Sequence, residues 1–311
     1  MADVQTLTKI PTIDFSNENL KPGTSSWLSV RKDVCSALEE YGCFVAELGN
    51  KFPLELHNTM FATAEELFDF PTETKMKLTS EQVFHGYVAN PPVRERMMIN
   101  NATSPEETQK LTNVFWPNGN DIVREGANSY AKKMAELDKM VTRMVFESYG
   151  LEKNFDAHLE LTTRTLSLIK YREHHETETN EGIKSHTDKH LTTILHQNRV
   201  RGLEIKTHDG EWIGFDPSPS SFLFLAGDAL QVWSNDRIQA SVHRVMLVEN
   251  ETRYSIGMFA FHDGTIHVPE ELVDEEHPLK YKPFNNRDYA KAQASLFQQE
   301  ISVKAFCGIT T

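Results

Sequence analysis

Cysteine is nearly missing from this chain: only Cys35, Cys43 and Cys307 occur in 311 residues. An odd and sparse set builds no disulfide framework, which points to a reducing compartment. Excess positive charge is missing too, with 32 Lys and Arg against 45 Asp and Glu and a formal net charge of −13. Nucleic acid and anionic membranes call for clustered basic residues, and no such cluster stands in the sequence, so neither is expected as a partner. There is no long apolar run either. The most apolar stretch, Phe222 to Trp233, is broken by Gly227-Asp228 and is too short to span a bilayer. The opening residues, MADVQTLTKIPTIDF, lack a basic start followed by an apolar core, so no secretory leader is expected. No P-loop and no Ser-His-Asp arrangement appears. These absences make a cytoplasmic protein the expectation; a monomer is favoured.

What is present suits a large core, since 39% of the residues are hydrophobic and a chain of this length forms one big domain or two intimate ones. The first half reads as helical. Val30, Val34, Leu38 and Tyr41 recur at helical spacing between Trp27 and Tyr41, and Gly42 ends that helix before a strand, Cys43 to Ala46. Leu56, Met60, Ala64 and Leu67 mark a second helix that Pro71 stops. The region from Phe84 to Asn120, with Gly86, Pro91, Pro92, Pro117 and Gly119, reads as loop with short strands. A long helix follows, with a stripe from Tyr130 through Phe146, ending at Gly150. From Leu161 short strands separated by turns take over, including Leu191 to Leu195, Phe222 to Leu225, Gln231 to Trp233, Val242 to Val248 and Tyr254 to Phe261. About eight such strands argue a jelly-roll sandwich or small barrel. The tail from Asn286 to Phe297 reads as a helix packed across it.

One set of polar residues stands out in the second half: His186-Thr187-Asp188, His243, and Arg253-Tyr254-Ser255. On a strand, side chains two apart share a face, so His186 and Asp188 could grip one metal ion, with His243 as third ligand from a neighbouring strand. Two imidazoles and one carboxylate leave positions open on a ferrous ion for a co-substrate and O2. Among 13 histidines, about one His-x-Asp arises by chance, so the pair alone means little. Its company matters more: Arg253 and Ser255 again share a strand face, and a planar guanidinium beside a hydroxyl suits a carboxylate. A structural salt bridge is the alternative for that arginine. His190, His196 and His262 have no required role.

These motifs, with their flanking text, resemble the plant 2-oxoglutarate- and Fe(II)-dependent dioxygenases of specialised metabolism. The resemblance covers nearly the whole chain: Ile10-Pro11-Thr12-Ile13-Asp14, Leu67-Phe68-Asp69-Phe70-Pro71 and Gly86-Tyr87 in the first half. In the second half it continues through Gly202-Leu203-Glu204-Ile205, Asp209-Gly210-Glu211-Trp212, Gly227-Asp228, Gln231-Val232-Trp233-Ser234-Asn235 and His243-Arg244-Val245. Glu39 to Val45 and Trp116 to Asn120 look most like the subfamily of glucosinolate side-chain dioxygenases. Two departures stand near the site. Many relatives carry an Asn-x-Tyr before the triad, and here Tyr171 matches while Ile169 takes the asparagine position; Leu48-Gly49-Asn50 replaces an Asn-His-Gly in a loop.

The resemblance implies an α+β fold with a mainly β core, a double-stranded β-helix or jelly roll. Its regions would be a helical N-terminal part at 1–160, the core at 161–265 and a C-terminal extension at 266–311. It implies Fe(II) on His186, Asp188 and His243, and 2-oxoglutarate as co-substrate with O2, its distal carboxylate on Arg253 and Ser255 assisted by Tyr171. Ascorbate would be supportive. Succinate and CO2 would be released as a small metabolite is hydroxylated or otherwise oxidised. Because Asp188 is present, a halide-binding site made by losing the carboxylate is not expected. Family position places Tyr87, Phe115, Trp116, Phe259 and Phe261 at the substrate pocket, with ordinary core packing as the alternative for Phe115 and Phe259. Two other functions stay open: a non-catalytic jelly-roll binder of metal or small molecules, and a hormone or phenolic oxidase within the same class.

Overall fold

The helices form where the sequence spaces its apolar residues for them. A computed structural model describes residues 9–78, 86–90, 93–174, 179–248, 250–295 and 301–309. Helix α1 (Ser25–Tyr41) starts where the Thr24 side chain accepts from the Trp27 amide and ends where Gly42 turns left-handed at φ 68°. Helices α2 (Leu54–Asp69) and α3 (Thr72–Lys75) meet at Pro71. Helix α4 (Pro105–Phe115) and the long α5 (Asp121–Ser148) follow, and α5 buries a stripe from Val123 to Phe146. The Trp27 indole donates to Glu147 Oε2 across 2.7 Å and ties α1 to α5. Further on come α6 (Phe155–Glu160), α7 (Asp228–Trp233), α8 (Asn286–Ser295) and α9 (Val303–Cys307).

The strands are β1 (Thr12–Asp14), β2 (Cys43–Glu47), β3 (Gly86–Asn90), β4 (Arg94–Asn100), β5 (Thr162–Tyr171), β6 (Glu181–His186) and β7 (Thr192–Gln197). Then come β8 (Leu203–Lys206), β9 (Trp212–Gly214), β10 (Ser221–Ala226), β11 (His243–Met246), β12 (Arg253–His262), β13 (Thr265–Ile266) and β14 (Phe284–Asn285). Eight strands form one sheet in the order β1-β2-β10-β7-β12-β5-β4-β3, and four form a second, β6-β11-β8-β9. Strands β7, β10 and β12 are buried throughout because both faces of the large sheet are covered. Its outer face carries Phe44, Phe224, Ile194, Ile256, Leu168 and Met97 and packs on the helices. Its inner face carries Val45, Leu223, Leu195, Ile169 and Phe259 and meets Leu203, Ile205 and Val245 of the small sheet. This α+β jelly roll, buttressed by the N-terminal helices, is the architecture expected from the sequence.

Several local expectations are corrected. Residues 105–115, within the stretch taken as loop with short strands, form α4, while the strands at 86–90 and 94–100 agree with that expectation. Gln231 to Trp233, taken as a strand, belongs to α7, where alternation is too short to distinguish a strand from one helical turn. The expected features at Phe84, Pro91, Pro92 and Phe297 lie outside the described residues.

Candidate metal and co-substrate site

His186 closes β6 and His243 opens β11, and the antiparallel register pairs them directly, with ring centroids 4.3 Å apart. Asp188 lies two residues past the end of β6, so a turn supplies it where a continuous strand was expected. That turn is held from beneath by the start of α7: Asp228 N donates to Asp188 O (2.8 Å), Gly227 N to Leu191 O (2.9 Å) and Ala229 N to His190 O (3.1 Å). A Cβ on Gly227 would stand 2.2 Å from the His190 carbonyl oxygen, so only glycine lets the two backbones approach this closely. The buried Asn286 at the head of α8 donates to Lys189 O (2.7 Å) and accepts from the His262 amide (3.2 Å), fixing the same turn from the other side.

The three side chains converge. His186 Nε2 is 3.8 Å from Asp188 Oδ1 and His243 Nε2 is 3.9 Å from Asp188 Oδ2. One ligand atom from each lies within 4.8 Å of the others, the sole such group among the described residues. The tautomers follow from the partners. His186 Nδ1 faces the Lys184 carbonyl (2.8 Å) and His243 Nδ1 faces the Ser241 carbonyl (3.1 Å). A carbonyl only accepts, so both Nδ1 atoms carry the proton and both Nε2 lone pairs point toward Asp188. Burial and the neighbouring His243 hold His186 down to about 4, which keeps it neutral at physiological pH. Burial works against the charge on Asp188, but His243, His190, His186 and the Thr193 hydroxyl, 2.6 Å away, outweigh it and hold the carboxyl well below the usual range. Two imidazoles and a carboxylate are the donor set of a divalent iron site.

Arg253 and Ser255 open β12 on the inner face, and Tyr171 stands opposite Arg253 on β5. The Arg253 guanidinium is 2% exposed, lies 5.0 Å from the Tyr171 ring centroid, and donates to Ser255 Oγ (3.4 Å) and to the Gln197 side-chain oxygen. Burial lowers its pKa to about 10, so it stays charged near neutrality. No carboxylate pairs with it among the described residues, and its buried Nε lacks a hydrogen-bond partner there. A salt bridge therefore does not explain this arginine; an acid arriving from outside would. A cavity of about 80 Å³ joins both groups, lined by His186, Asp188, His243, Tyr171, Arg253 and Ser255 among others. The residues present thus fit iron at one end and a carboxylate at the other.

The aromatic expectations fare unevenly. Phe259 lines this cavity. Phe261 shares its strand face but packs on His190, ring centroids 4.4 Å apart, and under the Arg287 guanidinium. Tyr87, Phe115 and Trp116 are placed on the outer, helix-covered side. Tyr87 pairs with Met97 and donates to Glu95 Oε2 (2.6 Å), Phe115 packs on Phe70, and the Trp116 indole donates to Glu66 Oε1 (2.9 Å). Strand alternation decides this for Tyr87, since Arg94 and Arg96 take the inner face of β4 and its partners on the other parity must face outward, whereas Phe115 ends α4 and Trp116 caps it. Arg94, Arg96, Thr193 and Gln197 went unnoticed in the sequence, and Gly227 was noted only as a break in an apolar run and as part of the family resemblance. Only the i, i+2 spacing of the two arginines could have signalled them, and it sat in a stretch read as loop with short strands of no stated bounds.

Comparison with known proteins agrees with the geometry. Residues 162–262 match the 2OG-Fe(II) oxygenase superfamily, and residues 10–118 match the N-terminal region of non-haem dioxygenases in morphine synthesis. The chain is 42% identical over 288 residues, 90% of its own length and 95% of the relative's, to the probable 2-oxoglutarate-dependent dioxygenase AOP1 of Arabidopsis thaliana. It is 30% identical to the 2-oxoglutarate-dependent dioxygenase AOP3 of the same plant, over 97% of this chain and 98% of that one. Among solved structures, the rice dioxygenase for auxin oxidation superimposes with a TM-score of 0.81 at 29% identity, covering 97% of this chain and 100% of that one. The corresponding Arabidopsis thaliana enzyme, solved as a complex with 2-oxoglutarate, gives 0.77 at 30% identity over 86% and 99%. A triad of this donor set inside a jelly roll, with relatives of this identity along almost its whole length, has one reading: the chain belongs to the 2-oxoglutarate- and Fe(II)-dependent oxygenase superfamily.

Proposed function

We propose that His186, Asp188 and His243 hold the Fe(II), that Arg253 and Ser255 hold the distal carboxylate of 2-oxoglutarate beside Tyr171, and that the substrate is a small specialised metabolite. The observation that carries this reading is the pairing, in one cavity, of the three convergent ligand atoms with a buried, acid-free arginine. Fe(II), 2-oxoglutarate and O2 together supply an oxidative decarboxylation that releases succinate and CO2 while a substrate C–H bond is oxidised.

The protein's part is positioning and exclusion. The Lys184 and Ser241 carbonyls hold both imidazoles by Nδ1 and aim Nε2 at the metal position. Thr193 orients one oxygen of Asp188. Arg253 sets the reach of the bound acid through a charge-assisted contact, stronger in this desolvated place than a neutral one. Ile169, Leu195, Leu203, Val245 and Phe259 give the cavity an apolar wall that keeps water out. Resemblance to the glucosinolate side-chain dioxygenases favours hydroxylation or a related oxidation of a plant metabolite.

Succinate release tests the reading. Protein incubated in air with Fe(II), ascorbate, 2-oxoglutarate and a plant metabolite extract is expected to form succinate as a metabolite is consumed, and Asp188→Ala is expected to form none. Bound metal and 2-oxoglutarate with no succinate in any extract would instead make the protein a carrier.

A further inference from the structure

Two cations in the cavity are not used by the chemistry above. Arg94 and Arg96 lie two apart on β4, so both point to the inner face, and both line the cavity with the triad. Arg96 reaches along the sheet: its Nε donates to Ser167 Oγ (2.7 Å) and its guanidinium lies 4.7 Å from the Phe259 ring centroid. Neither arginine forms a salt bridge among the described residues, in a chain with 45 acidic residues to choose from. Burial and the charge of Arg94 press the pKa of Arg96 down to about 10, while Asp188 supports it. Both ends of 2-oxoglutarate are already accounted for, one by the metal and one by Arg253 and Ser255. Iron and three arginines therefore leave the loaded cavity with positive charge that Asp188 and the co-substrate do not cancel. Charge in a part-desolvated cavity is costly unless it is paired.

We propose that Arg94 and Arg96 form a receptor for an anionic group on the substrate, so that the enzyme selects small organic carboxylates or sulfate esters over neutral analogues. Arg96, stacked on Phe259 and supported by Ser167, is the inner contact, and Arg94 is the outer one, one residue pair nearer the end of β5. A planar guanidinium on an aromatic ring presents its free N–H edge for bidentate contact with such a group. The proposal rests on the dioxygenase reading only for the identity of the bound co-substrate.

The test uses protein loaded with Mn(II) and saturating 2-oxoglutarate, so that Arg253 is already occupied. Phenylacetate, phenyl sulfate and phenylacetamide are titrated by calorimetry into wild type and the Arg94→Gln/Arg96→Gln double variant. The wild type is expected to bind one or both anions at least 10-fold more tightly than the amide. The double variant is expected to lose that preference while its affinity for 2-oxoglutarate changes by less than 3-fold. A preference for phenylacetate alone assigns carboxylates, and for phenyl sulfate alone sulfate esters. Equal binding of amide and anions, no binding of any, or a preference that survives in the double variant overturns the proposal. So does a fall in 2-oxoglutarate affinity in that variant, which would assign the arginines to the co-substrate. Folding of the variant is checked by its thermal midpoint. Failure of the dioxygenase reading looks different: an intact preference for anions with no succinate from any extract.

Discussion

Arg253 is a buried cation, 2% exposed and without an acidic partner among the described residues. Its removal is therefore expected to act on one ligand and spare the rest. Arg253→Ala should raise the 2-oxoglutarate concentration needed for half-maximal succinate release by about 30-fold or more, the consequence of losing about 2 kcal/mol or more from a buried charged contact. An unchanged requirement would remove Arg253 from the role. Thr193 makes a subtler case, because it touches Asp188 and no ligand. With its hydroxyl gone, one oxygen of Asp188 loses the Thr193 donor, and Thr193→Val should weaken Fe(II) binding by about 10- to 100-fold. Equilibrium titration of the apoprotein with metal decides it, and equal affinity in both proteins would limit Thr193 to packing.

The turn between β6 and β7 shows how far a sequence can be read. His186, Asp188, His243, Arg253 and Ser255 could be singled out from residue type and spacing, and Tyr171 from the family resemblance alone, and one cavity brings all six together. The way Asp188 is delivered was not legible, since β6 ends at His186 and the turn beyond it is set by contacts with α7, about forty residues later. Long-range contacts of this kind leave no local pattern. The same limit explains Tyr87: nothing in the stretch around it states which face of β3 and β4 turns inward until the register with β5 is known, and Phe115, at the end of α4, is placed by an equally long-range contact with Phe70. The main helices, by contrast, are written in apolar spacing and in stop signals such as Gly42 and Pro71. Gly227 turns this contrast into an expectation. A methyl group there would collide with the His190 carbonyl, which cannot yield without moving the Asp188 turn. Gly227→Ala should lower both thermal stability and metal affinity, whereas Gly210→Ala, in open space at a distant turn, should lower stability without touching metal affinity. Equal effects on the metal would refute the link between α7 and the site.

Across the molecule the large sheet separates two tasks, with the helices packed on its outer face and the reactive cavity on its inner one. A buried and a half-buried histidine on the helical side bring a pH dependence that is independent of catalysis. His196 is fully buried, bonded to Tyr130 (2.6 Å) and His57 (3.1 Å), and burial, then His57, hold it down to about 3. Burial, then His262, hold His158 down to about 4. A histidine with a lowered folded pKa contributes its full stability above the unfolded value near 6.5 and loses it as the pH falls toward the folded value. Stability should accordingly decline below pH 6.5 by about 1.4 kcal/mol per pH unit for each of the two. Urea unfolding at pH 7 and pH 5 would show the fall, and an unchanged midpoint would contradict it. No helix among the described residues is long and apolar enough to cross a membrane. Everything claimed for catalysis depends on a single convergence inside this sheet. The most direct measurement is a crystal structure of the protein with Mn(II) and 2-oxoglutarate under anaerobic conditions. The expected density is one metal ion bound by His186 Nε2, His243 Nε2 and a carboxylate oxygen of Asp188, with the far end of the acid on Arg253 and Ser255. Metal held by any other set of side chains, or an acid that leaves Arg253 untouched, would contradict the account.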